Sequence, residues 1–309
     1  METSHHLLDQ SHGLPILSVA IVHPCDDNSL TGACQAAEQE LINPILIGPK
    51  SRIQTVAKEE GLNIENYEII DTQHSHDSAE IAVDLCRSGK AQALMKGSLH
   101  TDELILAVIH KERGIRTERR LSHIFHFDVP TYHKPLLITD AAVNVEPDLA
   151  EKQIILINAI ELANAIGIPK PKVAILAAVE TVNPKMQSTL DAAALCKMVD
   201  RGQVTNAIVD GPLAFDNAIS KEAAEIKGIE TPVAGDVDIL LVPDLESGNM
   251  LAKQLTYLAN GQCSGIVIGA RVPIILTSRA DDAYARLASC AIASMYAQYK
   301  LMHKNLQSN

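Results

Sequence analysis

ALMKGSLHTDELI, residues Ala93–Ile105, starts apolar, breaks at Gly97-Ser98 and then takes up helical spacing. It reads as a strand, Ala93–Met95, a tight turn and the start of a helix. Working outward, the same alternation recurs along the chain. Short β-branched runs predict strands at Ile16–Val22, Pro44–Ile47, Tyr67–Ile70, Leu121–Phe127, Leu136–Thr139, Val173–Ala177, Ala207–Val209, Ile239–Val242, Gly265–Ile268 and Ile274–Leu276. Helical spacing lies between them, over Leu149–Ile166 (stopped at Gly167), Leu251–Leu258 and Ala283–Tyr299. Several strands are apolar at nearly every position, as strands covered on both faces are. Strand and helix in alternation predict an α/β architecture with mostly parallel sheets.

The length of 309 residues suggests two domains, at ~100–200 residues per domain. Apolar residues make up 47%, enough for a sizeable core. With 26 basic and 38 acidic residues the net charge is −12, and aromatics are 3% with no Trp. Such a surface repels a nucleic-acid backbone and offers few platforms for stacking bases. No apolar stretch reaches the ~18 residues of a membrane span. The start, METSHHLLDQSHG, lacks the basic and apolar regions of a signal peptide, so a cytoplasmic setting is expected. Cys25, Cys34, Cys86, Cys196, Cys263 and Cys290 lie far apart with no CxxC pair. They read as reduced core thiols, with no metal site or permanent cofactor expected.

Four turns carry residue types that suit chemistry. In Lys96–Asp102, Ser98, His100 and Thr101 stand where a helix start presents N–H groups and hydroxyls to an anion. The plainer reading makes Thr101 the N-cap and Asp102 and Glu103 dipole partners. In Asp210–Asp216, Asp210 follows a buried strand at the carboxyl edge, where open α/β sheets place ligands, and Asp216 either binds or caps a helix. In Pro243–Asn249, a Ser247-Gly248-Asn249 turn can approach a ligand through its backbone. In Leu276–Asp282, Ser278, Arg279, Asp281 and Asp282 bring together a hydroxyl, a planar guanidinium suited to phosphate or a developing oxyanion, and two carboxylates able to act as base. A basic run, Lys111–Arg120, stands out in an acidic chain and suits a polyanionic small molecule. GxxxxGK[ST], GxGxxG and GxSxG are all absent, which argues against common nucleotide-phosphate, dinucleotide and hydrolase chemistries.

Taken together and in order, MKGSLHTDELI (Met95–Ile105), GIRTERRLSH (Gly114–His123), ITDAAVNVEPDL (Ile138–Leu149), AAVETVNPKM (Ala177–Met186), DGPLAFDNAIS (Asp210–Ser220), AGDVDILLVPDLESGN (Ala234–Asn249) and ILTSRADD (Ile275–Asp282) are specific. The chain resembles the phosphate acetyltransferase/phosphate butyryltransferase family over nearly its whole length. AVETVNPKM and TSRAD look closer to the butyryl-type branch. The resemblance implies two α/β domains flanking a cleft, as in isocitrate and isopropylmalate dehydrogenases, with the second inserted in the first. Mapped here, that gives domain one at 1–140 with 277–309 and domain two at 141–276. It implies reversible transfer of a short acyl group between coenzyme A and inorganic phosphate, with coenzyme A as substrate, by direct attack of the thiolate in a ternary complex. A homodimer or larger homo-oligomer is implied too. Ser278 and Arg279 match the catalytic pair. The base position of the acetyl-type branch falls at Ala285, and Asp281, with Asp282 beside it, takes that role. Phosphate and coenzyme A contacts are expected from Ser98, His100, Thr101, Arg116 (with Arg271 behind it), Asn144, Asp210, Asp216, Ser247, Gly248 and Asn249. Two alternatives are a catalytically silent binding regulator and a metal-dependent dehydrogenase using Asp210, Asp216, Asp236 and Asp238.

Overall fold

The computed structural model describes residues 6–276 and 283–307. They divide into two compact units, 1–119 with 264–309, and 120–263. The first unit runs through α1 (His6–Ser11), β1 (Leu17–Val22), α2 (Asp27–Glu38), β2 (Ile42–Gly48), α3 (Lys50–Glu59), β3 (Glu68–Asp71), α4 (Ser75–Arg87), β4 (Ala93–Lys96) and α5 (Thr101–Ile109). The second holds β5 (Ser122–Asp128), β6 (Leu136–Thr139), α6 (Leu149–Ala165), β7 (Lys172–Leu176), α7 (Gln187–Asp200), β8 (Ile208–Leu213), α8 (Phe215–Ile219), α9 (Lys221–Ile226), β9 (Ile239–Leu241) and α10 (Leu245–Leu258). The chain returns to the first unit through β10 (Gln262–Ile268), β11 (Ile274–Ile275) and α11 (Ala283–Gln307).

In the first unit the strand order is β3-β2-β1-β4-β11-β10. Pairing is parallel from β3 to β11, and β10 runs antiparallel to β11. Val19–Val22 and Ala93–Met95 have no exposed surface, as expected of strands covered on both faces. Helix α4 covers them with Ala79, Ala82, Val83 and Cys86, a stripe at helical spacing. Helix α11 lies close to α2: a Cβ on Gly32 would stand 2.5 Å from Arg286 Cδ. Strand order reverses between β1 and β4, and ligands of open α/β sheets sit outside the carboxyl ends at such a reversal.

In the second unit the order is β5-β6-β9-β7-β8. A β5–β6 hairpin is antiparallel and the other pairs are parallel. Phe127, Leu136, Ile138, Leu213, Leu240 and Val242 meet in its core. Helix α6 starts with a capping box between Asp148 and Glu151, and Gly167 follows its end with φ +87°. Inside this unit, Lys152 Nζ on α6 meets Asp191 Oδ2 on α7 at 2.7 Å, both side chains under a tenth exposed.

The structure departs from sequence expectation in several places. The unit boundaries fall at 119/120 and 263/264, not at 140/141 and 276/277. The reason is strand pairing: β5 and β6 join β9 of the second unit, whereas β11 joins β4 of the first. Strand β8 continues past Val209 to Leu213, through a register shift opposite Ala174 and Leu176. It is an edge strand, which is where Pro212 is tolerated. Helix α10 begins at Leu245, not at Leu251, because Asp244 caps it. Cys25, Cys34, Cys86 and Cys290 are buried thiols, but Cys196 and Cys263 are only partly covered.

Candidate active site

The turn after β4 is fixed by backbone. Gly97 N–H donates to Val22 O and Ser98 N–H to His23 O, both at 2.9 Å. A Cβ on Gly97 would lie 2.4 Å from Val22 O, so only glycine fits there. The turn is thus clamped to the end of β1, where His23 adopts φ +56°. Helix α5 follows with His100 as N-cap and Thr101 as its first residue, one position off the expected cap. The side chains of Ser98, His100 and Thr101 have no hydrogen-bond partner among the described residues. Hydroxyls left free at a helix start, beside its unpaired N–H groups, form a donor set for an anion.

Two arginines stand side by side in the same unit. Arg116 bridges Ala270 in antiparallel fashion, and Arg271 N–H donates to Ile115 O at 3.0 Å. Thr117 Oγ1 ties the pair down by donating to Gly269 O at 2.6 Å. Buried Ile115 anchors the segment, and both arginines are exposed with no ion pair among the described residues. The rest of the basic run is partly spent: Arg113 pairs with Glu80, and Arg120 with Glu151. Strand β11 pairs Ile275 with Met95, so Leu276 leaves the sheet at the edge where Gly97 follows β4. Ser278, Arg279, Asp281 and Asp282 lie outside the described residues. Ala285 is buried in α11 and has no group to act as a base.

In the second unit, Asp140 ends β6 nearly buried. It accepts N–H bonds from Ala142 (2.9 Å) and Val143 (3.0 Å) and a side-chain bond from Asn144. Burial raises its pKa, and these bonds oppose the shift. Asn144 is fully engaged: Nδ2 donates to Leu121 O and Asp140, and Oδ1 accepts from Arg120 Nε. It therefore orients Arg120 and Asp140 rather than offering free donors. Ser247, Gly248 and Asn249 form the first turn of α10 instead of a loop. Asp244 Oδ1 accepts from Ser247 N–H at 2.8 Å, and Asn249 Nδ2 donates to Ala141 O at 3.2 Å. A Cβ on Gly248 would be 2.9 Å from Ala141 Cβ. This turn thus locks onto the loop after Asp140.

Asp210 is a residue of β8 opposite Ala174, not a residue past the strand end. Asp216 is exposed, and Lys227 lies 3.1 Å from it and 3.3 Å from Glu180. Lys227 lowers the Asp216 pKa. The segments DGPLAFD and AVETVNPKM therefore meet through one lysine. Asp236 and Asp238 precede β9, at its amino end, and are held by Lys134, with Lys172 also on Asp236. Lys134 and Lys172, together with His133, hold the Asp236 carboxyl well below the usual range against its desolvation. The four carboxylates of the dehydrogenase alternative thus do not converge, and no group of three metal-ligating side chains occurs among the described residues. His23 and Asp140 were missed by the sequence reading. The available signal was a polar residue directly after an apolar strand, the same signal that picked out Asp210.

The free hydroxyls thus follow the carboxyl end of a parallel strand, where open α/β sheets take ligands, whereas Arg116 and Arg271 precede β11 at the opposite edge. Solved structures share this fold. A branched-chain phosphotransacylase from Enterococcus faecalis matches with TM-score 0.80 at 30% identity, covering 91% of this chain and 99% of that one. A phosphotransacetylase from Streptococcus pyogenes shares the fold at TM-score 0.80 and 21% identity, over 94% of this chain and 97% of that one. A 4-hydroxythreonine-4-phosphate dehydrogenase from Klebsiella pneumoniae shares it more distantly, at TM-score 0.57 and 11% identity, over 92% of this chain and all of that one. The model of the phosphate acetyl/butaryl transferase family matches residues 73–294, and the chain belongs to that family. A phosphate acetyltransferase of Rickettsia prowazekii is 56% identical over 306 residues, 98% of this chain and 87% of the relative. A phosphate butyryltransferase of Clostridium beijerinckii is 41% identical over 291 residues, 94% of this chain and 96% of the relative. Acetyl-named relatives lie both above the butyryl-named one, at 56%, and below it, at 36%.

Proposed function

We propose that this chain transfers a short acyl group reversibly between coenzyme A and inorganic phosphate, with acetyl preferred. The observation that carries the reading is the glycine-clamped turn after β4. It offers unpartnered Ser98, His100 and Thr101 at the edge from which β11 leads toward Ser278 and Arg279. The 56% identity to one phosphate acetyltransferase, against 41% to a phosphate butyryltransferase, favours the acetyl group.

In the proposed reaction Asp281 takes the proton of the coenzyme A thiol. A thiol of pKa ~8.5 is mostly protonated near neutral pH, so a base raises the reactive thiolate fraction. The sulfur attacks the acyl-phosphate carbonyl carbon, a C–S bond forms, and the C–O bond to phosphate breaks. Arg279 and Ser278 donate to the oxygens that gain charge. Ser98, His100 and Thr101 hold the phosphate, and Asn144 and the 247–249 turn shape the second unit. Coenzyme A enters as substrate, with no metal in the cycle, in a cytoplasmic homodimer or larger homo-oligomer.

The test follows thioester formation by ultraviolet absorbance with acetyl phosphate and butyryl phosphate side by side, in chelator. Turnover with a higher kcat/KM for acetyl phosphate supports the proposal. No turnover, in folded protein that still binds coenzyme A, points to a silent binding regulator. A companion prediction separates two neighbours. Asp281→Asn is expected to impair thiolysis by ~10²-fold or more, the usual weight of a general base, and Asp282→Asn far less. The reverse order in the same assay would assign the base to Asp282.

A further inference from the structure

Beyond the proposed reaction, the first unit holds a second group of residues suited to an anion. A surface cavity of about 430 Å3 is lined by His23, Pro49, Arg52, Gln73, His74, Ser75 and His76. These residues follow β1, β2 and β3 or open α3 and α4, so the cavity lies at the carboxyl ends of three parallel strands. That edge is where open α/β sheets take ligands. Helix α4 is long enough to present an N-terminal dipole, and the N–H groups of Ser75 and His76 in its first turn have no partner among the described residues.

His23 supplies an independent sign of a ligand. It is only 7% exposed, yet it lines the cavity. Its Nδ1 meets Ser78 Oγ at 3.2 Å, and Ser78 is held in turn by Thr72 Oγ1 at 2.8 Å. Its Nε2 has no partner among the described residues. The left-handed backbone at His23 is unusual for a histidine and stays in place because Gly97 and Ser98 bond to the carbonyls of Val22 and His23. An imidazole nitrogen open to a cavity suits a group that both accepts and donates hydrogen bonds. A phosphate monoester, with its second pKa about 6, is such a group near neutral pH.

The carboxylates near the cavity keep their charge, but each is held by a donor of its own. Asp71 accepts from Lys50 N–H, Asp26 from Ser29 N–H, Asp77 from His74 N–H with His76 at 3.2 Å, and Glu103 from the Ser75 hydroxyl. Arg52 has no ion pair among the described residues, although it stands close enough to help lower the His23 pKa. An unpaired guanidinium beside a helix N-terminus matches a phosphoryl group through its planar fork. We propose that Arg52, His23, His76 and the start of α4 form a second phosphate site, beside the Ser98–Thr101 turn, that takes a phosphomonoester group.

The test is calorimetric titration of the full chain with inorganic phosphate, comparing wild type with Arg52→Gln and Arg52→Lys. Arg52 is exposed on α3, so both variants are expected to fold, with circular dichroism as the check. Arg52→Gln is expected to bind one phosphate fewer per chain than wild type, with kcat for thioester formation within about twofold. Arg52→Lys is expected to keep the site with affinity lowered several-fold, having the charge but not the fork. Equal stoichiometry in wild type and Arg52→Gln would overturn the proposal. So would loss of turnover together with the lost phosphate, which would merge this cavity with the catalytic phosphate site. The stoichiometric difference needs no turnover, so failure of the acyltransferase reading leaves this result readable on its own. Kinetics with coenzyme A and dephospho-coenzyme A then separate two sources of the phosphate. A rise in KM for coenzyme A alone assigns the site to the substrate's own 3′-phosphate, and no change in either assigns it to a free phosphorylated ligand.

Discussion

Arg279→Ala is expected to lower kcat for thioester formation by about 10²–10³-fold while leaving the unfolding midpoint unchanged. A fixed donor to a developing oxyanion is worth ~3–4 kcal/mol in a water-poor site. Arg279 is proposed to serve both the carbonyl oxygen and the departing phosphate, so its loss falls on the transition state more than on substrate binding. KM for acetyl phosphate should therefore change less than kcat. Arg279→Lys keeps a charge without the planar fork and should recover only part of the rate. Steady-state kinetics with acetyl phosphate and coenzyme A read both effects. An alanine variant within about twofold of wild type would remove Arg279 from the mechanism, because even one weak oxyanion donor exceeds that factor.

Lys152→Met should cause the largest stability loss of any single change discussed so far, about 3–5 kcal/mol. The Lys152–Asp191 pair is buried at 2.7 Å, and Gln187 adds a 2.8 Å bond to the other oxygen of Asp191. Removing the lysine leaves a carboxylate with too little solvent and too few donors. The double variant Lys152→Met/Asp191→Leu should recover most of that loss, since a well-packed apolar pair often matches a buried ion pair. Denaturant unfolding of wild type, both single variants and the double variant closes the cycle. A single variant losing under ~1 kcal/mol would show that the pair behaves as an exposed one.

The strand ladder was legible because its signal is local. All eleven strands were placed from apolar β-branched runs, and Leu136–Thr139 was placed to the residue. What escaped was long-range pairing. Nothing in SHIFHFD says that it turns back on LLIT as a hairpin and so carries residues 122–139 into the second unit. Likewise, Ile274–Ile275 is too short to announce that it runs parallel to β4. The turn at Gly97 was readable as a candidate site because glycine, hydroxyls and a helix start coincide in sequence. Arg116 and Arg271 are over 150 residues apart, and only the bridge at Ala270 makes them neighbours. Asn144 and the 247–249 turn show the opposite failure. Their polar side chains looked free in sequence but are consumed by Arg120, Asp140, Leu121 and Ala141. His23 carried the signal of a polar residue after an apolar strand, but its left-handed backbone was not legible.

The first unit is built from two pieces of chain, and its sheet is completed by strands that come last in sequence. During synthesis β4 emerges with its apolar edge open, and its neighbour β11 follows only after the whole second unit has been made. At ~5–20 residues per second the ribosome needs about 10–40 s to cover the ~180 residues between them. For that interval Ala93–Met95 presents a bare, uncharged strand edge, the kind of surface that recruits other chains. The second unit, contiguous from 120 to 263, can close on itself in the meantime. The nascent protein thus has an order of assembly in which the insert matures before its host. The interval before residue 276 is when a holdase has most to protect.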